Sequence, residues 1–391
     1  MKKHRSLILV PLAIFAFAGC VSRYGIERWS EEPVIKVLVA ENVPSVTIEA
    51  NGNHTLSSAS GSMPVLRPGR WDISPTAGLS VTLNGSQHLT NPSLPLKIAP
   101  DERTLLKLNG APYRGWLAVT PGTSSGLNVI NLVPLEVYLY GVVPREIGTG
   151  SADIMAAIEA QAICARSYAI SHFGRHRMQG FDIYADSRDQ AYSGMARETR
   201  WCTQAVDATR GLVAFAGDQL IDARYHSTCG GRTANSEDVW SAAVPYLRSV
   251  RDAPLFGRYY CSKSPHYEWK KLVPMQQFYS VLTRFVPSGA KIKSWSLEIN
   301  TRSRRVVKMI VKTNQGKHEI KGSALRTAFG LKSTWFKIKE RGDGLLFEGH
   351  GWGHGVGMCQ YGAMQMARRG KSAKRIIKHY YQGAWIGRLY R

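Results

Sequence analysis

Between residues 34 and 119 apolar and polar positions alternate in short runs rich in β-branched residues: 34–39, 43–48, 79–83, 105–108 and 116–119. A period of two predicts half-buried strands. Pro44 predicts that the second of these lies at a sheet edge or starts beyond the proline. Asn51-Gly52, Asn84-Gly85 and Asn109-Gly110 suit tight hairpin turns. Residues 127–143 read as a strand, or a strand and a turn, broken at Pro144, Arg145 and Glu146. The period then changes. Seven alanines from Ala152 to Ala169 predict a helix over 152–173, with Ile154, Ile158, Ala162, Ala165 and Ala169 as its apolar stripe. A helix at 197–209, strands around Leu212 and Ile221, and paired strands at 295–299 and 306–311 follow. The pattern ends with a helix over 358–369 closed by Gly370, and another over 373–381 capped by Ser372. These elements predict an α+β chain. A β-rich unit occupies 34–110 and a mixed domain 111–391, within which about 270–345 reads as a small β insertion.

Composition excludes wholesale disorder, because 44% of the 391 residues are hydrophobic and only 20% are charged. The formal charge of +23 favours a polyanionic partner. The first residues narrow that choice. Lys2, Lys3, His4 and Arg5 precede an apolar run, 7–17, that is too short to span a bilayer. Small residues then lead into Cys20, the pattern of a lipoprotein signal peptide over 1–19. Diacylation of Cys20 anchors the mature chain to a membrane through the tether 20–33. A plain secretory signal with an incidental cysteine is the rival reading. Cleavage before Cys20 takes three cations from the +23 and leaves +20. Export sets nucleic acid aside and leaves membrane surface and cell wall as the polyanions. Val21 after Cys20 suits outer-membrane sorting in a host with two membranes.

Three stretches carry chemistry. The first runs from Asn131 to Glu146 and continues from Ala160 to Ala169. The second joins 189–194 with 225–231. The third is 349–363, where Gly349, Gly351, Gly353, Gly355 and Gly357 alternate with larger residues, followed by 379–383. Together they resemble the SpoIID/LytB family of bacterial cell-wall proteins, in order and at plausible spacing over about 111–391. The resemblance implies peptidoglycan glycan strands as substrate and lytic transglycosylase activity, which cuts the MurNAc–GlcNAc bond and leaves a 1,6-anhydro end. Some members are instead enhancers of a partner amidase. It places the catalytic glutamate at Glu146 and substrate contacts at Arg166, Tyr168, Gln190, Tyr192, His354, Gln360 and Tyr361. Glu159 stands where relatives usually have Lys, and Cys359 where they usually have Ser.

The residue types fit that chemistry. Protonation of a leaving glycosidic oxygen needs a carboxyl whose pKa is raised. Hydrolysis by the usual route needs a second carboxylate, whereas attack by the sugar's own C6 hydroxyl needs only one. No second acid lies close in sequence to Glu146, although Glu159 is a candidate. No cofactor is required by this scheme. If the glycine stretch is extended, His350 and His354 lie about 13 Å apart and cannot share a metal. Trp352 and Tyr361 are platforms for sugar faces, with a core aromatic as the rival reading of Trp352. Cys359 reads as a buried replacement rather than a nucleophile. Five cysteines remain after Cys20, an odd number. His226, Cys229 and Cys261 form the one metal-like set, and three states stay open for it: structural zinc, a Cys229–Cys261 disulfide, or unlinked thiols. Relatives occur both with and without a zinc near this position.

Overall fold

The computed structural model describes residues 29–75, 79–90, 92–240 and 242–390. Cys20 and the signal segment lie outside them. Among the described residues no helix is long and apolar enough to cross a membrane.

The alternating N-terminal runs build two antiparallel sheets. One orders Ala111–Tyr113, Leu106–Leu108, Val46–Ala50, Gly69–Ser74, Ser80–Leu83 and Ser86–Thr90. The other contains Val34–Val43, Leu127–Pro134, Trp116–Pro121, Leu96–Pro100, His54–Ser58 and Gly61–Val65, with the short strand Ile183–Tyr184 added in parallel at its edge. Every second residue of these strands faces one core, as with Val46, Ile48 and Ala50 against Trp71 and Ile73. The second strand does begin beyond Pro44. Asn84-Gly85 and Asn109-Gly110 adopt positive φ at both residues and close hairpins, which glycine and asparagine tolerate. Asn51-Gly52 does not. It carries the chain from one sheet to the other, since Val46–Ala50 and His54–Ser58 pair with different partners. Pairing also runs across residue 110, because Trp116–Pro121 and Leu127–Pro134 extend the sheet that holds Val34–Val43.

Seven α-helices follow among the described residues: α1 (Leu135–Ile147), α2 (Met155–Ser171), α3 (Arg200–Ala208), α4 (Met275–Leu282), α5 (Gly322–Ala328), α6 (Gln360–Arg368) and α7 (Ala373–Tyr380). The break predicted at Pro144 is absent: α1 runs through it and includes Glu146. Leu135, Tyr138, Leu139, Val142 and Val143 recur at helical spacing and are all buried, so tertiary burial outweighs the roughly 3 kcal/mol that an interior proline costs. α2 is buried on every side from Ala160 to Ile170 rather than along one stripe. Its small side chains let α1, α3, α6 and α7 approach it. Thr199 caps α3 and Ser372 caps α7 through their hydroxyls. The C-terminal strand Ala384–Arg388 returns to pair with Leu212–Ala216.

Residues 269–347 pack around a second hydrophobic core in which Phe278 stacks on Phe329 at 5.4 Å. Ile292–Ile299 and Val306–Thr313 pair there as the sequence predicts, joined by Gly316–Lys321. A further sheet of Glu268–Pro274, Gly344–His350 and Phe336–Arg341 completes the unit. It is not purely β, because α4 and α5 cover its strands. The whole is an α+β fold.

Candidate functional site

Glu146 lies in the last turn of α1, half-buried, and its Oε1 accepts the Ala191 backbone N–H at 3.1 Å. Burial pushes its carboxyl up to about 7, against the opposing pull of the Ala191 N–H, the Arg145 charge and the side chains of Gln360 and Tyr225. The Tyr225 and Gln360 side chains are themselves held. Gln190 Nε2 donates to Tyr225 Oη at 3.0 Å and to the Ala165 carbonyl at 3.2 Å, while Tyr138 Oη donates to Gln190 Oε1 at 3.3 Å. Because Tyr225 Oη accepts from Gln190, its own proton is left to face Glu146. Gln360, the first residue of α6, donates to Gln161 Oε1 of α2 at 3.3 Å. The three sequence stretches therefore meet at one carboxyl. Sequence reasoning missed Tyr225, Tyr138 and Gln161. All three lie within the three stretches, and their spacing alone does not mark them.

Asp189 is the acid nearest in chain to the Ala191 donor, and it is fully committed. Its Oδ1 accepts from Tyr168 Oη at 3.1 Å and Arg175 at 3.2 Å, and its Oδ2 from the Tyr184 N–H at 2.9 Å. Tyr168 thus reaches the neighbourhood through Asp189, with the Arg224 guanidinium 4.9 Å over its ring. Glu159 is half-buried on α2, and burial raises its carboxyl too.

His354 does not offer a free ring nitrogen. Its Nδ1 accepts the Val356 N–H at 3.1 Å, which leaves Nε2 to donate to the Tyr225 carbonyl at 2.9 Å. Burial pulls its pKa well below the usual histidine range, so the ring is neutral and braces the Tyr225 backbone. Tyr361 is half-buried, and its backbone N–H donates to the Ser227 carbonyl. Trp352 is 43% exposed, a surface position rather than a core one.

Two expected substrate contacts lie elsewhere. Arg166 is fully buried and forms a forked pair with Glu136 at 2.9 and 2.5 Å, with its remaining donors on the Leu212 and Val206 carbonyls. It has no surface to present to a sugar, because α2 is enclosed. Tyr192 is 6% exposed, packs against Tyr138 and Tyr113, and donates to Asn131 Oδ1 at 2.8 Å. Both ties are internal.

The glycine stretch is not a two-faced strand. The strand ends at His350, and Gly351, Gly353, Gly355 and Gly357 take φ of 80, 108, 85 and 69°. A Cβ at Gly351 would stand 2.5 Å from the Thr228 carbonyl oxygen, so the loop lies backbone against backbone on 226–229. This contact assembles the cysteines. Cys229, Asp252, Cys261 and Cys359 bring one ligand atom each to within 4.8 Å of one another, all buried. His226 is not among them. Its Nδ1 meets the Val356 carbonyl at 3.0 Å and its ring faces His354 at 5.5 Å. Cys359 takes the place expected of His226, and Asp252 adds a ligand for which the sequence has no local signal.

The cluster has the makings of a metal site. Cys229 Sγ and Cys261 Sγ are 3.5 Å apart, close to the roughly 3.8 Å edge of a tetrahedron with metal–sulfur bonds of about 2.3 Å. Outer hydrogen bonds are in place: Cys229 N–H to Cys359 Sγ at 3.2 Å, Gly231 N–H to Cys229 Sγ at 3.3 Å, and Tyr380 Oη to Asp252 Oδ1 at 2.6 Å. Burial raises the Asp252 carboxyl and the Cys229 thiol well above their usual values. For Cys359 burial opposes ionisation, but donation from Cys229 and Cys261 holds it down at about 6. Four acidic groups packed this closely can hold a metal such as zinc.

Comparison with known proteins gives the family. The Stage II sporulation protein family matches residues 123–215, and a domain of unknown function (DUF8618) matches 255–357. The chain is 32% identical over 269 residues to the stage II sporulation protein D of Bacillus subtilis, covering 65% of this chain and 74% of that one. It is 31% identical over 283 residues to an uncharacterised protein of Brachyspira hyodysenteriae, covering 71% and 73%. A Bacillus subtilis protein named amidase enhancer is 28% identical over 299 residues, 63% of this chain and 40% of its own length. The chain belongs to the SpoIID family.

Proposed function

We propose that this protein is an exported lytic transglycosylase of peptidoglycan, with Glu146 as its acid and base. The observation that carries the reading is one half-buried carboxyl, raised to about 7, inside a network in which the neighbouring acid Asp189 is already taken. Protonated Glu146 gives its proton to the departing GlcNAc oxygen. The resulting carboxylate, steadied by Tyr225, Gln360 and the Ala191 N–H, takes the proton of the MurNAc C6 hydroxyl as that oxygen closes on C1. Proton and bond counts balance without added water. Purified protein is expected to release 1,6-anhydro-MurNAc ends from sacculi, or from strands stripped of stem peptides, as read by mass spectrometry. Release of reducing MurNAc ends instead would point to a hydrolase with a second carboxylate, Glu159 first. No product from either substrate, with faster cleavage by an added amidase, would favour the enhancer reading, which the likeness to the amidase enhancer supports. In either role the chain acts outside the cytoplasm, tethered by a lipid on Cys20.

A single zinc ion on Cys229, Asp252, Cys261 and Cys359 is the companion proposal. It takes no part in the proton transfers, and it fastens the glycine loop, one residue before Gln360, to 226–231 and 252–261. Metal analysis of purified protein should find about one zinc per chain, lost on acidification as the thiolates and the carboxylate take up protons. Intact-mass evidence for a Cys229–Cys261 bridge would overturn it, as would ready alkylation of these thiols in metal-free, active protein.

A further inference from the structure

A cleft of about 680 Å³, lined by none of the residues of the Glu146 network, opens between the 268–350 unit and the segment from Gly230 to Tyr267. Its walls carry five cations: Arg232, Arg251, Arg302, Arg304 and Lys337. Among the described residues none of the five pairs with a carboxylate. Glu348 sits across the ladder from Lys337, but its oxygens are held by Lys270 and Lys339. Glu268, opposite His350, does not line the cleft. The crowding is felt within the cluster: burial lowers the Arg232 pKa, and Arg302, Arg251 and Arg304 lower it further.

The arrangement is held in place rather than splayed by repulsion. Asn300 Nδ2 and Ser303 Oγ donate to Asp238, and Arg305 Nη2 to the Cys229 carbonyl at 2.9 Å, fastening the Arg302–Arg304 turn to the other wall. Arg304 itself sits at φ 59°, a region non-glycine residues seldom adopt. Between the cations stand flat rings: Tyr259, Tyr267 and Trp335. His350 also lines the cleft, and its buried Nδ1 has no partner among the described residues. Forked guanidinia match carboxylate or phosphate oxygens, aromatic faces match sugar rings, and the volume suits a short oligosaccharide.

We propose that this cleft is a second binding site, for an anionic glycan. The preference for an anion rests on the cleft alone. The choice of a glycan over other polyanions rests on the reading of Glu146 above. Carboxylated and phosphorylated glycans share the required chemistry.

The test is titration calorimetry on the full chain with four probes: trigalacturonate, a maltotriose phosphorylated on its sugar hydroxyls, neutral tri-N-acetylchitotriose and an oligothymidylate. At least one anionic glycan should bind, tenfold or more tightly than the neutral one, and added salt should weaken it. Which of the two binds better identifies the anion. The paired substitution Arg302→Glu with Lys337→Glu, both on exposed positions, should cost tenfold or more in that affinity with an unchanged thermal transition. Trp335→Ala should weaken binding without changing its salt dependence. Glu146→Gln should leave this binding intact while it tests cleavage, so the two readings can fail separately. Failure of both anionic glycans to bind at millimolar concentration, equal binding by the charge-reversed protein, or tighter binding of oligothymidylate would each overturn the proposal.

Discussion

Glu146→Gln is expected to lower cleavage of glycan strands by about a hundredfold or more while fold and glycan binding persist. Gln keeps the shape and can still accept from Ala191, but it has no proton to give at neutral pH. The wild-type rate should fall as pH rises through about 7, where burial has placed the Glu146 carboxyl and where its acid form is lost. Stability offers an independent reading of the same group. Its folded pKa of about 7 lies above the ordinary 4.5, so the folded state binds the extra proton between those values. That contribution is fully present below pH 4.5 and is lost as pH rises through 7. The Gln variant carries no such dependence. At pH 8 it should therefore melt a few degrees above wild type, by roughly 2 kcal/mol at most given the partial exposure, and the gap should narrow toward pH 5. Unchanged cleavage in the variant would remove Glu146 from the mechanism.

Arg166→Ala is expected to destabilise the fold by about 3–5 kcal/mol, a large part of the typical 5–15 kcal/mol of a domain. The guanidinium is fully buried, and its loss leaves the Glu136 carboxyl in the core with only Tyr390 Oη at 2.6 Å and the Gly211 N–H at 2.9 Å, both on Oε1. The Leu212 and Val206 carbonyls lose their donor as well. Arg166→Lys should recover only part of the loss, since one ammonium cannot span both Glu136 oxygens and those carbonyls. Thermal unfolding distinguishes this from a substrate contact. A role in binding would leave the transition in place and raise KM alone.

Much of the architecture was legible locally. Strands at 34–43, 116–121 and 306–313 follow from alternation, and α2 and α7 from alanine content and the Ser372 cap. The asparagine–glycine hairpins at 84–85 and 109–110 follow from backbone preference. These signals depend on residues close in sequence. The family resemblance reaches further and points to Glu146, Gln190, Gln360 and Tyr361, although not to their arrangement.

By itself the sequence determined the α+β class, the strong positive charge and the family. Only the tertiary structure decided what each side chain faces. It carried α1 through Pro144, because five buried apolar residues at helical spacing outweigh one missing hydrogen bond. It withdrew Arg166 into the core, because α2 is covered on all sides and no local pattern reports how many neighbours a helix has, and it packed Tyr192 between Tyr113 and Tyr138. It exchanged His226 for Cys359 and Asp252 in the buried cluster. Those residues are separated by up to 130 positions, and they meet because a loop of left-handed glycines lies bare against the Thr228–Cys229 backbone. Side-chain direction across such a contact depends on backbone approach between distant segments, a quantity that spacing along the chain does not contain.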